Sequence, residues 1–327
     1  MKVKFIPNSP FAFSYGGFEI QTKATLNAVQ SVGVDASFID FYSEDNDFEV
    51  AHIWSATPGS SKLAELAKKA GKKVVVTALL SYFESRNEQI RYFISDLIRK
   101  YEYLKKFNKT ADAFVVMNEL QKEVAIKYCR ISDEKVEIIP NTIDSNFYKI
   151  SEYNKDSFVL CSGNVCQRKN QLNLVKACLL ADKPLVLLGT VLDGEAAYGQ
   201  QIDELVATNS SIKWVKGLNH ASDQMIQLYS QASVIALPSF VEQQPLCLLE
   251  GAAMNKPILT SNKAFGKQPL YQNAKLVDPN SVASIAAGIH SVFETPEKFI
   301  VPKSIINTCK KDSIGNAYKE LYQRIIA

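Results

Sequence analysis

The sequence predicts an α/β protein of two doubly wound domains, each a parallel sheet wrapped by helices. Three observations predict it. Short β-branched runs alternate with longer stretches of helical periodicity, the strand, helix, strand rhythm of parallel sheets with crossover helices. The 327 residues exceed what one hydrophobic core usually organises, so two domains of about 150 residues are expected. Within 141–157 the apolar periodicity lapses into Asn-Thr-Ile-Asp-Ser-Asn and then Ser-Glu-Tyr-Asn-Lys-Asp, which reads as an interdomain linker. The domains are accordingly placed at 1–150 and 151–327.

In the first domain, β-branched or apolar runs at 3–6, 36–40, 50–54, 74–79, 113–117 and 136–139 are the expected strands. The first helix opens at Gly16-Gly17, repeats Ile20, Ala24, Ala28 and Val32 along one face, and stops near Gly33. In the second domain, strands are expected at 158–161, 184–188, 212–215, 234–237, 257–260 and 275–277. Helices are expected near 169–180, 197–208, 223–232, 246–255, 280–293 and 311–326. The last of these helices is a candidate to pack back on the first domain. Doubly wound sheets bind ligands at the loops that follow their strands, so a central cleft between the two domains is the expected place for chemistry.

Composition narrows the function classes. With 46% hydrophobic and 22% charged residues and no Gly-X-Y period, collagen-like, fibrous and disordered readings fall away. A net charge of +3 is too small a surplus to make nucleic acid the default partner. Pro7 and Pro10 interrupt the N-terminus before a signal-peptide core can build up. No run approaches the roughly 18 apolar residues of a spanning helix. A cytoplasmic protein is expected, soluble or peripheral on the inner membrane face. The six cysteines, at 129, 161, 166, 178, 247 and 309, include no Cys-x2-Cys pair and have no histidine nearby, so reduced buried thiols are expected. Asp45-Asn46-Asp47 has the Asp-x-Asp form of metal-binding transferase loops, but it lies in a polar run without a second ligand cluster and is assigned to solvent. Residues 86–109 hold seven basic against three acidic side chains with interleaved aromatics. This stretch is either an ordinary solvated helix with its aromatics in the core or a helix resting on an anionic membrane surface.

The most informative segment is 237–258. A strand ends at Leu237, a loop carries Glu242, and Pro245 pre-sets the first turn of a helix starting at Gln244, Pro245 and Leu246. Unpaired amides at that start offer a site to a phosphate or to sugar hydroxyls. Glu250 lies one to two turns further in, where a carboxylate can accept both hydrogen bonds of a ribose diol. A Glu-x7-Glu spacing by itself arises by chance in a chain of this composition, so the words around it carry the weight.

Those words, Pro238-Ser239, Glu242 and Glu250, Ala252-Ala253-Met254 and Lys256-Pro257-Ile258, resemble the signature of the retaining GT-B glycosyltransferases of family GT4. The resemblance extends through Gly16-Gly17-Phe18-Glu19, 136–144, 162–171 and Leu276-Val277-Asp278-Pro279. It implies two Rossmann-like domains in the GT-B arrangement, with an acceptor domain at 1–150 and a nucleotide-sugar donor domain at 151–327. It also implies transfer of a glycosyl unit to an acceptor hydroxyl, with retention, in surface polysaccharide or glycolipid synthesis. The donor is then a substrate, and neither cofactor nor metal is expected.

By the same resemblance Glu250 holds the nucleotide ribose and Glu242 sits beside the transferred sugar. Lys169 falls on the family's phosphate-binding lysine, and Gly16 and Gly17 let backbone amides approach the donor phosphates. Two departures stand out: Asn164 replaces a usual arginine, for which Arg168 is the candidate substitute, and 76–81 lacks the histidine that touches the donor sugar. Two other readings stay open: a nucleotide-sugar epimerase, which can share the two-domain fold, and a non-catalytic nucleotide-sugar-binding subunit, which the two departures encourage. His52 is read as either a satisfied structural residue or an acceptor contact, and His220 and His290 as loop and helix-surface residues.

Overall fold

The structure, a computed structural model, describes residues 1–12, 16–82, 87, 102–149 and 157–327. Two compact units emerge, Met1–Thr142 with Cys309–Ala327, and Ile143–Thr308.

The first unit is built on a six-stranded sheet of β1 (Lys2–Ile6), β2 (Asp35–Phe38), β3 (Val50–Trp54), β4 (Lys73–Thr77), β5 (Ala113–Val116) and β6 (Val136–Ile138). Its order is β2-β1-β3-β4-β5-β6, with every pairing parallel. Every residue of β3 and β5 is buried, which is why neither strand alternates apolar with polar: β5 is an unbroken apolar run and β3 departs from one only at His52. Among the described residues this part of the chain also carries the helices α1 (Gly17–Ser31), α2 (Pro58–Lys69), α3 (Glu102–Thr110) and α4 (Glu119–Lys127). Thr57 caps α2 by accepting from the Ser60 N–H at 3.2 Å, and Asn118 caps α4 by accepting from the Gln121 N–H at 3.0 Å.

The second unit repeats the plan with β7 (Val159–Ser162), β8 (Leu185–Leu188), β9 (Ile212–Val215), β10 (Val234–Leu237), β11 (Ile258–Ser261) and β12 (Lys275–Val277), in the order β12-β11-β10-β7-β8-β9, all parallel. Its helices are α5 (Gln171–Leu180), α6 (Ala196–Thr208), α7 (Asp223–Gln231), α8 (Leu246–Ala253), α9 (Val282–Glu294) and the single turn α10 (Lys303–Ile306). The strand order reverses beside β7, so the loops after β7 and β10 flank the crevice where such sheets bind ligands. Two helix ends differ from the periodicity because asparagines leave the right-handed region. Asn170, at φ 62°, delays α5 until Gln171, and α8 stops short of Asn255, at φ 61°. The neighbouring Lys256 is buried with its Nζ donating to the Ser230 carbonyl at 2.5 Å, and burial lowers its pKa to about 8. It caps the end of α7.

The final helix, α11 (Lys311–Ile326), belongs to the first unit. Ile314, Tyr318, Leu321 and Tyr322 enter the core that holds Val3, Phe5 and Trp54. A Cβ on Gly315 would stand 2.3 Å from the Ala28 carbonyl oxygen, so only glycine permits this approach to α1. The helix also explains His52. Its Nδ1 lies 2.6 Å from the Tyr322 hydroxyl and its Nε2 2.7 Å from Thr77 Oγ1, and burial lowers its pKa to about 3. A neutral, fully buried imidazole bonded on both sides is structural, and the acceptor-contact reading of His52 falls.

The units divide at 142/143 rather than at 150/151. Thr142 is clamped in the first unit by Gln21, whose Nε2 donates to the Thr142 carbonyl at 3.0 Å while its Oε1 accepts from the Thr142 N–H at 3.1 Å. Ile143 and Phe147 are buried apolar side chains within an otherwise polar stretch, and they pack in the second unit, with the Phe147 ring 5.1 Å from that of Tyr229. Residues 150–156 lie outside the described ones. Among the described residues no helix is long and apolar enough to cross a membrane, and all six cysteines are buried and unbridged.

Candidate functional site

The loops after β7 and β10 bring together three of the residues singled out in the sequence. Glu242, 6% exposed, lies on the loop after β10. Its Oε1 is 3.0 Å from Lys169 Nζ and 2.8 Å from the Arg168 guanidinium. Both cations come from the short turn before α5. Arg168 therefore stands in the same cluster as Lys169, although Asn164 occupies the position where an arginine was expected. Two cations against one carboxylate leave a surplus positive charge at the carboxyl edge of the sheet, a setting suited to phosphate. Burial opposes the charge on Lys169, but Glu242 outweighs it, and the pKa stands above the ordinary lysine value.

The backbone is built to hold this cluster. The Phe240 N–H donates to the Arg168 carbonyl at 2.9 Å, and the Arg168 guanidinium donates to the Val241 carbonyl at 2.8 Å. Ser239 Oγ donates to Glu242 Oε1 at 3.2 Å. Buried Asn170 spends its amide on two loops, donating to the Pro238 carbonyl at 3.0 Å and to the Pro279 carbonyl at 2.7 Å. The turn at Gly163, φ 135°, rests on Gly189, φ 143°, where a Cβ would meet the Gly163 carbonyl oxygen at 2.3 Å. That contact requires glycine at 189.

Glu250 forms a second cluster on α8. Its carboxylate, 3% exposed, accepts from His220 Nε2 at 2.7 Å on one oxygen and from the Tyr229 hydroxyl at 2.8 Å on the other. Both partners come from α7 or the loop before it. Glycine at 251 makes the location possible, because a Cβ there would lie 2.4 Å from Ile235 Cγ1 of β10. The sequence reading missed His220: nothing local marks a histidine in Gly217-Leu218-Asn219-His220 as the partner of a carboxylate thirty positions away. Pro245 stands at the N-cap of α8 and Leu246 opens it, while Gln244 is buried just before.

The remaining candidates belong to the first unit. Gly16 and Gly17 start α1, and the Gly16 N–H is already paired with the Glu19 carboxylate at 2.8 Å. Asp45-Asn46-Asp47 is an exposed loop in which Asp47 pairs with Lys2. Most of 86–109 lies outside the described residues. In its described part, α3, Phe107 is a core residue 5.9 Å from the Phe114 ring, and Lys106 and Lys109 are exposed. Burial pushes the Cys161 thiol up to about 12, which keeps it protonated and unreactive beside the cluster. Among the described residues no three His, Cys, Asp or Glu side chains gather as metal ligands would.

Residues 142–311 match the family described as Glycosyl transferases group 1, and residues 35–147 match Glycosyltransferase Family 4. The chain is similar to the O-antigen chain mannosyltransferase RfbU of Salmonella typhimurium, at 22% identity over 75% of this chain and 72% of that one. It is also similar to the UDP-Gal:alpha-D-GlcNAc-diphosphoundecaprenol alpha-1,3-galactosyltransferase of Escherichia coli, at 24% identity over 69% of this chain and 61% of that one. Among solved structures, Alr3699/HepE of Anabaena in complex with UDP and glucose superposes with a TM-score of 0.72 at 16% identity, over 99% of both chains.

Proposed function

The chain belongs to the glycosyl transferases group 1 family and is a glycosyltransferase of GT-B fold, and from that premise we propose that its second unit binds a nucleotide-sugar whose glycosyl group passes, with retention, to an acceptor hydroxyl. The observation that carries this reading is Glu242 holding Lys169 and Arg168 beside the strand-order reversal of the second sheet. In the reaction the acceptor oxygen bonds to the anomeric carbon on the face that the leaving group vacates. The bond from that carbon to the diphosphate oxygen breaks with its electron pair on the diphosphate, which takes the acceptor proton. Lys169, Arg168 and the unpaired first-turn amides of α8 neutralise the charge developing there, so no divalent ion is required. Glu242 keeps both cations in place and orients the sugar. Glu250 takes the ribose: His220 and Tyr229 use one lone pair on each of its oxygens, and one on each remains for a vicinal diol.

The UDP and glucose held by the Anabaena structure support a nucleotide-sugar donor, and the O-antigen and diphosphoundecaprenol in the relatives' names support a saccharide or lipid-linked acceptor. In keeping with such an acceptor we place the protein in the cytoplasm, meeting an anionic membrane surface through the lysines of 86–109. In the first unit the Gly16 N–H reaches a donor phosphate only by releasing the Glu19 carboxylate, so the second unit's residues carry the donor site, with Gly16 and Gly17 proposed as additional phosphate contacts.

Glu242→Ala separates the roles. Transfer should fall by about 100-fold, the scale for losing one preorganised polar contact. Affinity for the free nucleoside diphosphate, measured by calorimetry, should hold or rise, since both cations lose their internal anion. An equal loss in both measurements would refute the assignment of Glu242 to the sugar.

A further inference from the structure

Two donors of different character hold Glu250. Burial and the Glu250 charge raise the Tyr229 hydroxyl well above its ordinary pKa, so Tyr229 donates at any working pH. His220 is titratable and retains some exposure, 22% of its side chain. The groups facing it are Glu250 from α8, Asp144 and the Phe147 ring from the segment that opens the second unit, with the Phe147 and His220 ring centroids 5.9 Å apart, and Tyr229 from α7 beyond the shared carboxylate. Two of these four are anionic and none is cationic.

We propose that His220 is a positioning residue for ribose recognition: its bond to Oε1 fixes the Glu250 carboxylate so that one lone pair on each oxygen meets the 2′- and 3′-hydroxyls, and so sets the preference for ribonucleotides over deoxyribonucleotides. This rests on the reading of Glu250 as the ribose ligand. Geometry supports it. A carboxylate held at one oxygen only rotates about its Cγ–Cδ bond and presents a single lone pair at a time, whereas one held at both oxygens offers a fixed pair. The position fits as well, because His220 lies on the loop after β9, at the same carboxyl edge of the sheet as the loops carrying Lys169 and Glu242.

The arrangement also makes the preference pH-dependent. Burial opposes a charge on His220, while the Glu250 hydrogen bond, the Glu250 charge and Asp144 outweigh it, so its pKa lies above the ordinary histidine value. Below that pKa the bond to Glu250 is charge-assisted. As pH rises through it, the imidazolium loses its proton, the attraction between two full charges is lost, and a weaker bond from a neutral N–H to the carboxylate remains. Ribose discrimination should therefore be strong on the acid side and decline on the alkaline side.

The test is calorimetric titration of the whole chain with UDP, GDP and ADP, each against its 2′-deoxy form, across the histidine range of pH. For the nucleotide that binds, the parent should favour the ribo form by about tenfold and lose part of that ratio as pH rises. His220→Ala should bring the ratio to within about threefold at every pH, for want of one of the two carboxylate anchors. His220→Gln, which can donate to Glu250 without titrating, should hold the ratio near the parent's alkaline-side value at every pH, above that of His220→Ala. Titration of the nucleotide phosphate is common to all variants and drops out of the ratio. If Glu250→Gln abolishes the preference while His220→Ala leaves ratio and pH profile as in the parent, His220 has no positioning role. Should Glu250→Gln itself keep the full ratio, the ribose assignment of Glu250 fails, and this inference with it.

Discussion

Replacing Asn170 by glycine should loosen the two loops of the site without altering any residue expected to touch substrate. Asn170 follows Lys169 directly, holds φ at 62°, and donates both amide hydrogens, to the carbonyls of Pro238 and Pro279. Glycine keeps the left-handed backbone at no cost, so the substitution isolates the amide. Each lost hydrogen bond is worth about 1 kcal/mol, and stripping a buried carbonyl of its donor costs about 1–3 kcal/mol. Asn173 still donates to the Pro279 carbonyl at 3.2 Å, which places the total toward the lower end, about 2–3 kcal/mol. Asn170→Ala loses the same bonds and adds about 1 kcal/mol for a Cβ in the left-handed region. With a slope of about 2 kcal/mol per molar urea, the unfolding midpoint should fall by about 1–1.5 M for glycine and about 0.5 M more for alanine. Pro238 heads the loop that carries Glu242, so the rate of transfer at saturating donor should drop further than nucleotide affinity does. A glycine midpoint within about 0.3 M of the parent, on the same slope, would refute the stapling role. Equal midpoints for glycine and alanine would refute the left-handed part.

Two further outcomes follow from the site and its surroundings. Transfer should survive EDTA, because the leaving diphosphate is assigned to Lys169, Arg168 and helix amides; a rate that collapses in chelator and returns with magnesium or manganese would overturn that assignment. The protein should sediment with vesicles of anionic phospholipid at low salt and be released near 1 M salt, where the Debye length is about 3 Å. Replacing Lys100, Lys105, Lys106 and Lys109 together by glutamine should abolish sedimentation and leave nucleotide binding intact, whereas a variant that still sediments would make 86–109 an ordinary solvated face.

The amino-acid sequence by itself determined the architecture. Strands buried on both faces, such as Ala113–Val116 and, His52 apart, Val50–Trp54, are near-continuous apolar runs, and amphipathic helices repeat near every fourth residue, so both are legible locally. The words around Glu242, Glu250 and Lys169 likewise survive as words because each lies on one short continuous element, a loop, a helix and a turn respectively. What only the tertiary structure decided is which side chains become partners. Glu242 meets Arg168 and Lys169 because β10 lies beside β7, a neighbour relation that strand periodicity does not encode. His52 finds Tyr322 because α11 joins the first unit, 270 positions along the chain. Glu250 draws on His220 and Tyr229 because Gly251 lets α8 lie close against β10. Periodicity records which face of an element is buried. A hydrogen-bond partner depends on how separate elements are ordered and how closely they approach, and those are set by packing across the whole unit.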